Sequence, residues 1–145
     1  MQSPSRKPTY SLREFVELSR AFEAHLGEQL TVNPTDLAAM EHLISSGPLG
    51  PSELARRLKI TPSAVTAAVD RLEELGHATR VVNPADRRAV VVTPAAESVQ
   101  RAMSFLMPMI GDVDSILDGF DLEDQAVIAD YLERVVAALR AHVPS

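Results

Sequence analysis

The fold turns on Ile60-Thr61-Pro62-Ser63-Ala64-Val65-Thr66-Ala67-Ala68-Val69-Asp70-Arg71-Leu72-Glu73-Glu74-Leu75-Gly76. Thr61 is placed to cap a helix and Pro62 to open it: a threonine oxygen accepts from a first-turn amide, and proline lacks an N–H only where none is needed. Val65, Val69 and Leu72 lay one apolar stripe along that helix, and Gly76 stops it. Such a helix buries one face and leaves the other free. Upstream, Pro51 to Leu58 reads as a short helix buried through Leu54, Ala55 and Leu58, and Lys59-Ile60-Thr61 has the length of a tight helix-turn-helix connection. Downstream, Arg80-Val81-Val82 and Ala89-Val90-Val91-Val92 read as short strands around the turn Asn83-Pro84-Ala85-Asp86, with proline at its second position. Two helices and a ribbon predict a winged helix-turn-helix module over residues 35–94.

This stretch resembles the multiple antibiotic resistance regulator (MarR) family of bacterial transcription factors. The likeness rests on Pro51-Ser52-Glu53-Leu54-Ala55, Thr61-Pro62-Ser63-Ala64-Val65-Thr66, Val69-Asp70-Arg71-Leu72-Glu73 and Asp86-Arg87-Arg88. It implies a mainly α fold with a small β-wing, in which N- and C-terminal helices flank the module and interlock across a two-fold axis. On that pattern residues 1–145 form a single domain, with dimerisation helices at 11–31 and 95–143. The sequence departs from the family in two places. Pro94-Ala95 stands where the family ends its second wing strand in Leu-Thr, so the exit of the wing is expected to be rearranged. Ala67 stands where the family often has arginine in the recognition helix, which removes one major-groove contact.

A chain of 145 residues fits one domain and buries about 68 to 70% of its unfolded surface when compact. The absence of cysteine excludes disulfides and thiol chemistry and is compatible with a reducing cytosol. No apolar run reaches the roughly 18 residues of a membrane span, and Met1 to Tyr10 lacks the apolar core of a signal peptide, so a cytoplasmic protein without a membrane partner is expected. The net charge of -6 argues at first against nucleic acid. Its distribution reverses the argument. Residues 51–94 hold seven basic side chains (Arg56, Arg57, Lys59, Arg71, Arg80, Arg87, Arg88) against five acidic ones (Glu53, Asp70, Glu73, Glu74, Asp86), a positive module in an acidic body.

Around the module, residues 1–10 read as a loose arm and Ser11-Leu12-Arg13-Glu14 as a capping box opening a long first helix to about Leu30. A second helix starts near Asn33-Pro34-Thr35-Asp36 and ends before Gly47-Pro48. Thr93-Pro94 opens a further helix with Val99, Met103, Leu106, Ile110, Val113 and Leu117 at heptad-like spacing, bent near Ser104 to Pro108 by the missing donor of Pro108. Asp121-Leu122-Glu123-Asp124 starts the last helix, with Ile128, Tyr131, Leu132, Val135, Val136 and Leu139 at helical spacing. These terminal helices hold more apolar surface than a small module can cover, which points to a homodimer rather than to a bundle within one chain.

The expected partner is double-stranded DNA bearing a pseudo-palindromic operator. Ser63 and Thr66 offer hydroxyls, Ala67 a surface for a thymine methyl, and Arg71 either a base contact or an internal ion pair. Ser52, with the amides at the start of its helix, can hold a phosphate, and Thr61 lies at the entrance of the recognition helix. Arg88 can enter a narrow minor groove, held by Asp86, and Arg87 can meet phosphate; the Asp-x-Arg pair is read this way in the family. The resemblance further implies a small, often aromatic or apolar, effector in a cleft, for which Phe15, Phe22, His25, Met103 and Met107 are the candidate lining residues, with core packing as the plainer role. No enzyme motif is present, and no cofactor is implied. His25, His42, His77 and His142 are scattered without metal-ligand spacing, although Glu41-His42 with His25 leaves a metal-responsive regulator as one alternative. A winged-helix protein-interaction module without DNA binding is the other; Arg87 and Arg88 at the wing count against it.

Overall fold

In the computed structural model, which describes residues 6–145, the chain runs through α1 (Lys7–Leu30), α2 (Pro34–Ser46), α3 (Pro51–Leu58), α4 (Pro62–Glu74), β1 (Ala78–Asn83), β2 (Asp86–Pro94), α5 (Ala96–Ser115), a 3-10 turn (Ile116–Gly119) and α6 (Leu122–Ala141). It divides into two compact units, one reaching to Met103 and one comprising Ser104–Ser145.

Helix α1 begins a turn earlier than the capping-box reading placed it. Arg6 occupies the cap position without a side-chain hydrogen bond, and Pro8 sits in the first two helical positions, where its missing N–H costs nothing. Residues 7–10, expected in the arm, are therefore helical; the remainder of that expectation, residues 1–5, lies outside the described residues. Asn33 caps α2 by accepting from the Asp36 amide at 2.8 Å, and Thr61 caps α4 by accepting from the Ala64 amide at 3.1 Å. Between α3 and α4, Lys59 adopts the left-handed conformation at φ 54°, and the Ile60 amide bonds back to the Ala55 carbonyl, which fixes the tight turn between the two helices.

The core of the first unit is made where these helices meet. Leu54 of α3 and Val65, Ala68, Val69 and Leu72 of α4 are buried against Met40 and Leu43 of α2, with Leu26 and Leu30 of α1 and Val92 of β2 also enclosed. Each such Leu or Val contributes on the order of 1.5–3 kcal/mol of burial. Ala68 joins the stripe predicted from Val65, Val69 and Leu72. Gly76 is at φ 77°, a turn that lets the His77 amide reach the Leu72 carbonyl at 2.8 Å and starts the wing.

The wing is an antiparallel hairpin longer than the two valine runs alone predicted. Ala78 pairs with Pro94, Thr79 with Thr93, and Arg80 with Val92. Thr93 and Pro94 thus close the ladder instead of opening α5, which starts at Ala96, and Pro94 takes the ladder's end, where its missing N–H costs no hydrogen bond. The exit of the wing is held by the Ala95 amide bonding to the His77 carbonyl at 2.8 Å. Leu49, in the α2–α3 connection, exchanges two backbone bonds with Val92 (3.1 and 2.7 Å) and fastens the base of the wing to the helices.

In the second unit, Asp121 caps α6 by accepting from the Asp124 amide at 2.8 Å, and the Gln125 side chain donates to the carbonyls of Leu117 (3.0 Å) and Phe120 (2.9 Å), closing the turn after Gly119. Helix α5 is continuous across Pro108, and the boundary between the units falls at Ser104, the residue whose carbonyl the absent Pro108 N–H would have met. No residue of α6 is buried.

Candidate nucleic-acid interface

The apolar stripe of α4 faces the core, so Ser63, Thr66, Ala67, Asp70 and Arg71 all lie on its exposed side, and Ser52 is exposed at the start of α3. Their chemistry is more constrained than their positions suggest. The Thr61 hydroxyl serves as the cap of α4 and lies 3.2 Å from that of Ser63, while the Thr66 hydroxyl donates to the Pro62 carbonyl at 3.1 Å. Both threonines are therefore local braces whose oxygens retain a lone pair for an outside donor.

Of the two roles open to Arg71, the fold shows the internal ion pair. The Arg71 Nε and Nη2 donate to the two carboxylate oxygens of Asp36 at 2.8 and 2.9 Å, and the Asp36 side chain is only 2% exposed. A bidentate pair to a buried carboxylate holds Arg71 against α2, since withdrawal would leave that carboxylate uncompensated. Arg80 is likewise committed. From β1 it reaches Asp70 (2.8 Å) and Glu73, both on α4, and so staples the wing to the recognition helix. Arg56 and Arg57 both bond Glu53, and Arg57 also donates to the Ser46 hydroxyl at 2.6 Å. The two arginine hydrogen bonds lower the Glu53 carboxyl to about 2.

The cations of the module with no internal partner, among the described residues, are Lys59, Arg87 and Arg88. The backbone explains why the last two project. Val82 pairs with Val90, but the next residue, Asn83, pairs with Asp86, so Arg87, Arg88 and Ala89 have no partner on β1. The irregularity pushes both arginines out of the ladder. Two side-chain turns frame it: Asn83 accepts from the Ala85 amide, and Asp86 from the Arg88 amide, each at 3.0 Å. Asp86 therefore shapes the chain beneath Arg88 through its backbone N–H, whereas the sequence reading had the carboxylate hold the guanidinium.

Sequence reading missed three participants. Asp36 passed as a first-turn residue of α2 because its partner lies 35 residues away. Arg80 was read as a strand residue and as charge, without its partners on α4. Lys59 was read as connection, although a charged residue in the turn between two helices is the available signal. The effector candidates are spread differently from one cavity among the described residues. A cleft of about 340 Å³ lies between α1 and α2, lined by residues including Ala24, Gly27, Leu37 and Ala38. Phe15, Phe22, His25, Met103 and Met107 do not line it, and on α1 the side chains of Phe22 and His25 lie about half a helical turn away from Ala24 and Glu23. Among the described residues no group of three or more His, Asp or Glu side chains is placed to hold a metal ion, and no described helix is long and apolar enough to cross a membrane.

Comparison with known proteins agrees with this architecture. Residues 30–89 match the model of the MarR family. A Bacillus subtilis protein named as an uncharacterized HTH-type transcriptional regulator, YcgE, is 34% identical over 61% of this chain, which spans 57% of that protein; the B. subtilis transcriptional repressor MdtR is 40% identical over 43% of the chain and 41% of its own length. Among solved structures, a MarR-like transcriptional regulator from Thermotoga maritima superposes with a TM-score of 0.70 at 27% identity, covering 94% of this chain and 99% of that one. With its capped α4, its two-stranded wing and these relatives, the chain resembles MarR-family transcriptional regulators over residues 30–89 and shares the winged helix-turn-helix fold of a MarR-like regulator over 94% of its length.

Proposed function

We propose that this protein is a cytoplasmic homodimeric repressor that binds an inverted-repeat operator in double-stranded DNA, with Ser63, Thr66 and Ala67 of α4 facing the major groove and Arg87 and Arg88 reaching the backbone and minor groove. The observation that carries the reading is the pair of unpartnered arginines displaced from the wing ladder beside an exposed helix face. Lys59 supplies a further phosphate contact between the helices, and Ser52 with its helix start another. Arg71 contributes indirectly, by holding α4 on α2. Release by a small effector belongs to the same reading.

The homodimer is supported by the second unit, where Ile110, Val113, Ile116, Leu122, Val127, Leu132, Val136 and Leu139 are all exposed in the single chain. That much apolar surface on two adjoining helices calls for a covering partner, and a two-fold dimer presents two recognition helices to one face of DNA. Selection of bound sequences from random duplex DNA tests the proposal. It should return an inverted repeat with half-site centres about 10 bp apart, or a multiple of that, bound by two chains; a single asymmetric site bound by one chain contradicts it.

A further inference from the structure

Every hydrogen-bonding group of His77 is engaged, and together they tie α4, α1 and the start of α5 to one residue. Its amide donates to the Leu72 carbonyl of α4, and its carbonyl accepts from the Ala95 amide at the exit of the wing, each at 2.8 Å. The half-buried ring spans the remaining gap: Nδ1 lies 2.8 Å from the Ser98 hydroxyl of α5, and Nε2 lies 2.7 Å from the Leu30 carbonyl of α1. A carbonyl can only accept, so Nε2 carries a proton, and in the neutral ring Nδ1 accepts from the buried Ser98 hydroxyl. The bond to Leu30 gains its weight from where it falls. A helix leaves its last four carbonyls without partners inside it. In α1 the backbone meets two of them, the Val32 amide donating to Gly27 at 2.9 Å and the Thr31 amide to Glu28 at 3.2 Å. The other two are met by side chains from far along the chain: Gln29 by Arg101 of α5 at 2.9 Å, and Leu30 by His77. The imidazole thus joins the end of α1 directly to the turn where α4 stops and the wing begins.

We propose that His77 is a positioning residue for DNA recognition: its ring fixes the angle at which α4 and the wing stand to α1, and thereby the separation of the two half-sites that a dimer reads. The first clause stands on the single chain, and the second rests on the operator binding proposed above. An apolar side chain of similar size would fill the same space but leave the Leu30 carbonyl and the Ser98 hydroxyl without their partner.

The joint can be measured without DNA. Because the chain lacks cysteine, Glu17→Cys on α1 and Ser63→Cys on α4 take one spin label each, and the distance distribution between them, in labelled chain diluted with unlabelled, reports the angle. His77→Leu should broaden that distribution. His77→Gln, whose amide nitrogen reaches the place of Nε2, should keep it narrow, and His77→Asn, which mimics Nδ1 alone, should behave like His77→Leu. On DNA, with unlabelled protein, each base pair added between half-sites moves one of them by about 3.4 Å and about a tenth of a turn. The parent should therefore favour one spacing over those a base pair longer or shorter. His77→Leu should shrink that preference by roughly fivefold, the worth of one hydrogen bond, and His77→Gln should restore most of it. A merely structural histidine would lower the urea melt and leave the spacing preference alone. If His77→Leu does not fold, the contrast between His77→Gln and His77→Asn decides. An unchanged distance distribution in His77→Leu and His77→Asn overturns the proposal, as does an unchanged spacing preference in a variant whose distribution has broadened. A parent with no preference for an inverted repeat refutes the operator reading and the half-site clause with it, while the distances still decide the joint.

Discussion

The arginines of the recognition helix and its brace, Arg71 and Arg80, differ from those of the wing tip, Arg87 and Arg88, in one respect that decides their roles. The first two end on carboxylates of the same chain, Asp36 for Arg71, and Asp70 with Glu73 for Arg80. The second two end in solvent, in a segment with no ladder partner. A basic residue near a DNA-binding surface is available to DNA only if the fold has not already used it. The module's net charge of +2, read from sequence, is therefore concentrated in effect on Lys59, Arg87 and Arg88. On the exposed face of α4, hydroxyls and a methyl remain, with Asp70 held by Arg80.

The largest effect should come from breaking the internal pair. Arg71→Ala leaves the buried Asp36 carboxylate without its partner and should lower stability more than Arg88→Ala, Thr61→Ala or Glu53→Gln does, read as a lower urea midpoint. Arg71→Met combined with Asp36→Leu should recover most of that loss, because replacing a buried ion pair by apolar groups is often neutral. Next, Arg88→Ala should leave the urea midpoint unchanged and weaken operator binding by about 1–3 kcal/mol, flattening the preference for A·T pairs under the wing. Loss of the α4 cap in Thr61→Ala should cost about 1 kcal/mol of stability, measured by the same denaturation. The smallest effect concerns Glu53, whose carboxyl is lowered by the hydrogen bonds from Arg56 and Arg57. A lowered folded value means that the contribution is present above the unfolded carboxylate range and is lost as pH falls from about 4.3 towards 2. Glu53→Gln should accordingly reduce stability at neutral pH and shrink the acid dependence in that window.

Much of the architecture was legible because its signals are local. Asn33, Thr61 and Asp121 cap the helices that their sequence positions announce, and the stripe of Val65, Val69 and Leu72 is the buried one. Errors came where distant or competing terms decide. The capping box at Ser11 lost to the proline-compatible start at Lys7, and Thr93-Pro94, a plausible helix opening, was taken by pairing with Thr79 and Ala78. The contact of Arg71 with Asp36 crosses 35 residues and has no sequence period to reveal it. The displacement of Arg87 and Arg88 depends on a shift of strand register, which the alternation of valines does not encode.

The most direct test of the division between structural and free arginines is DNA binding of the double variant Arg87→Ala with Arg88→Ala, titrated at several salt concentrations beside its urea melt. The account predicts an unaltered melt, an affinity loss of tenfold or more, and a salt slope reduced by about 2 relative to the parent, one unit for each lost phosphate or groove contact. Unchanged affinity and slope in this variant would contradict it and move the contact with DNA back to the recognition helix.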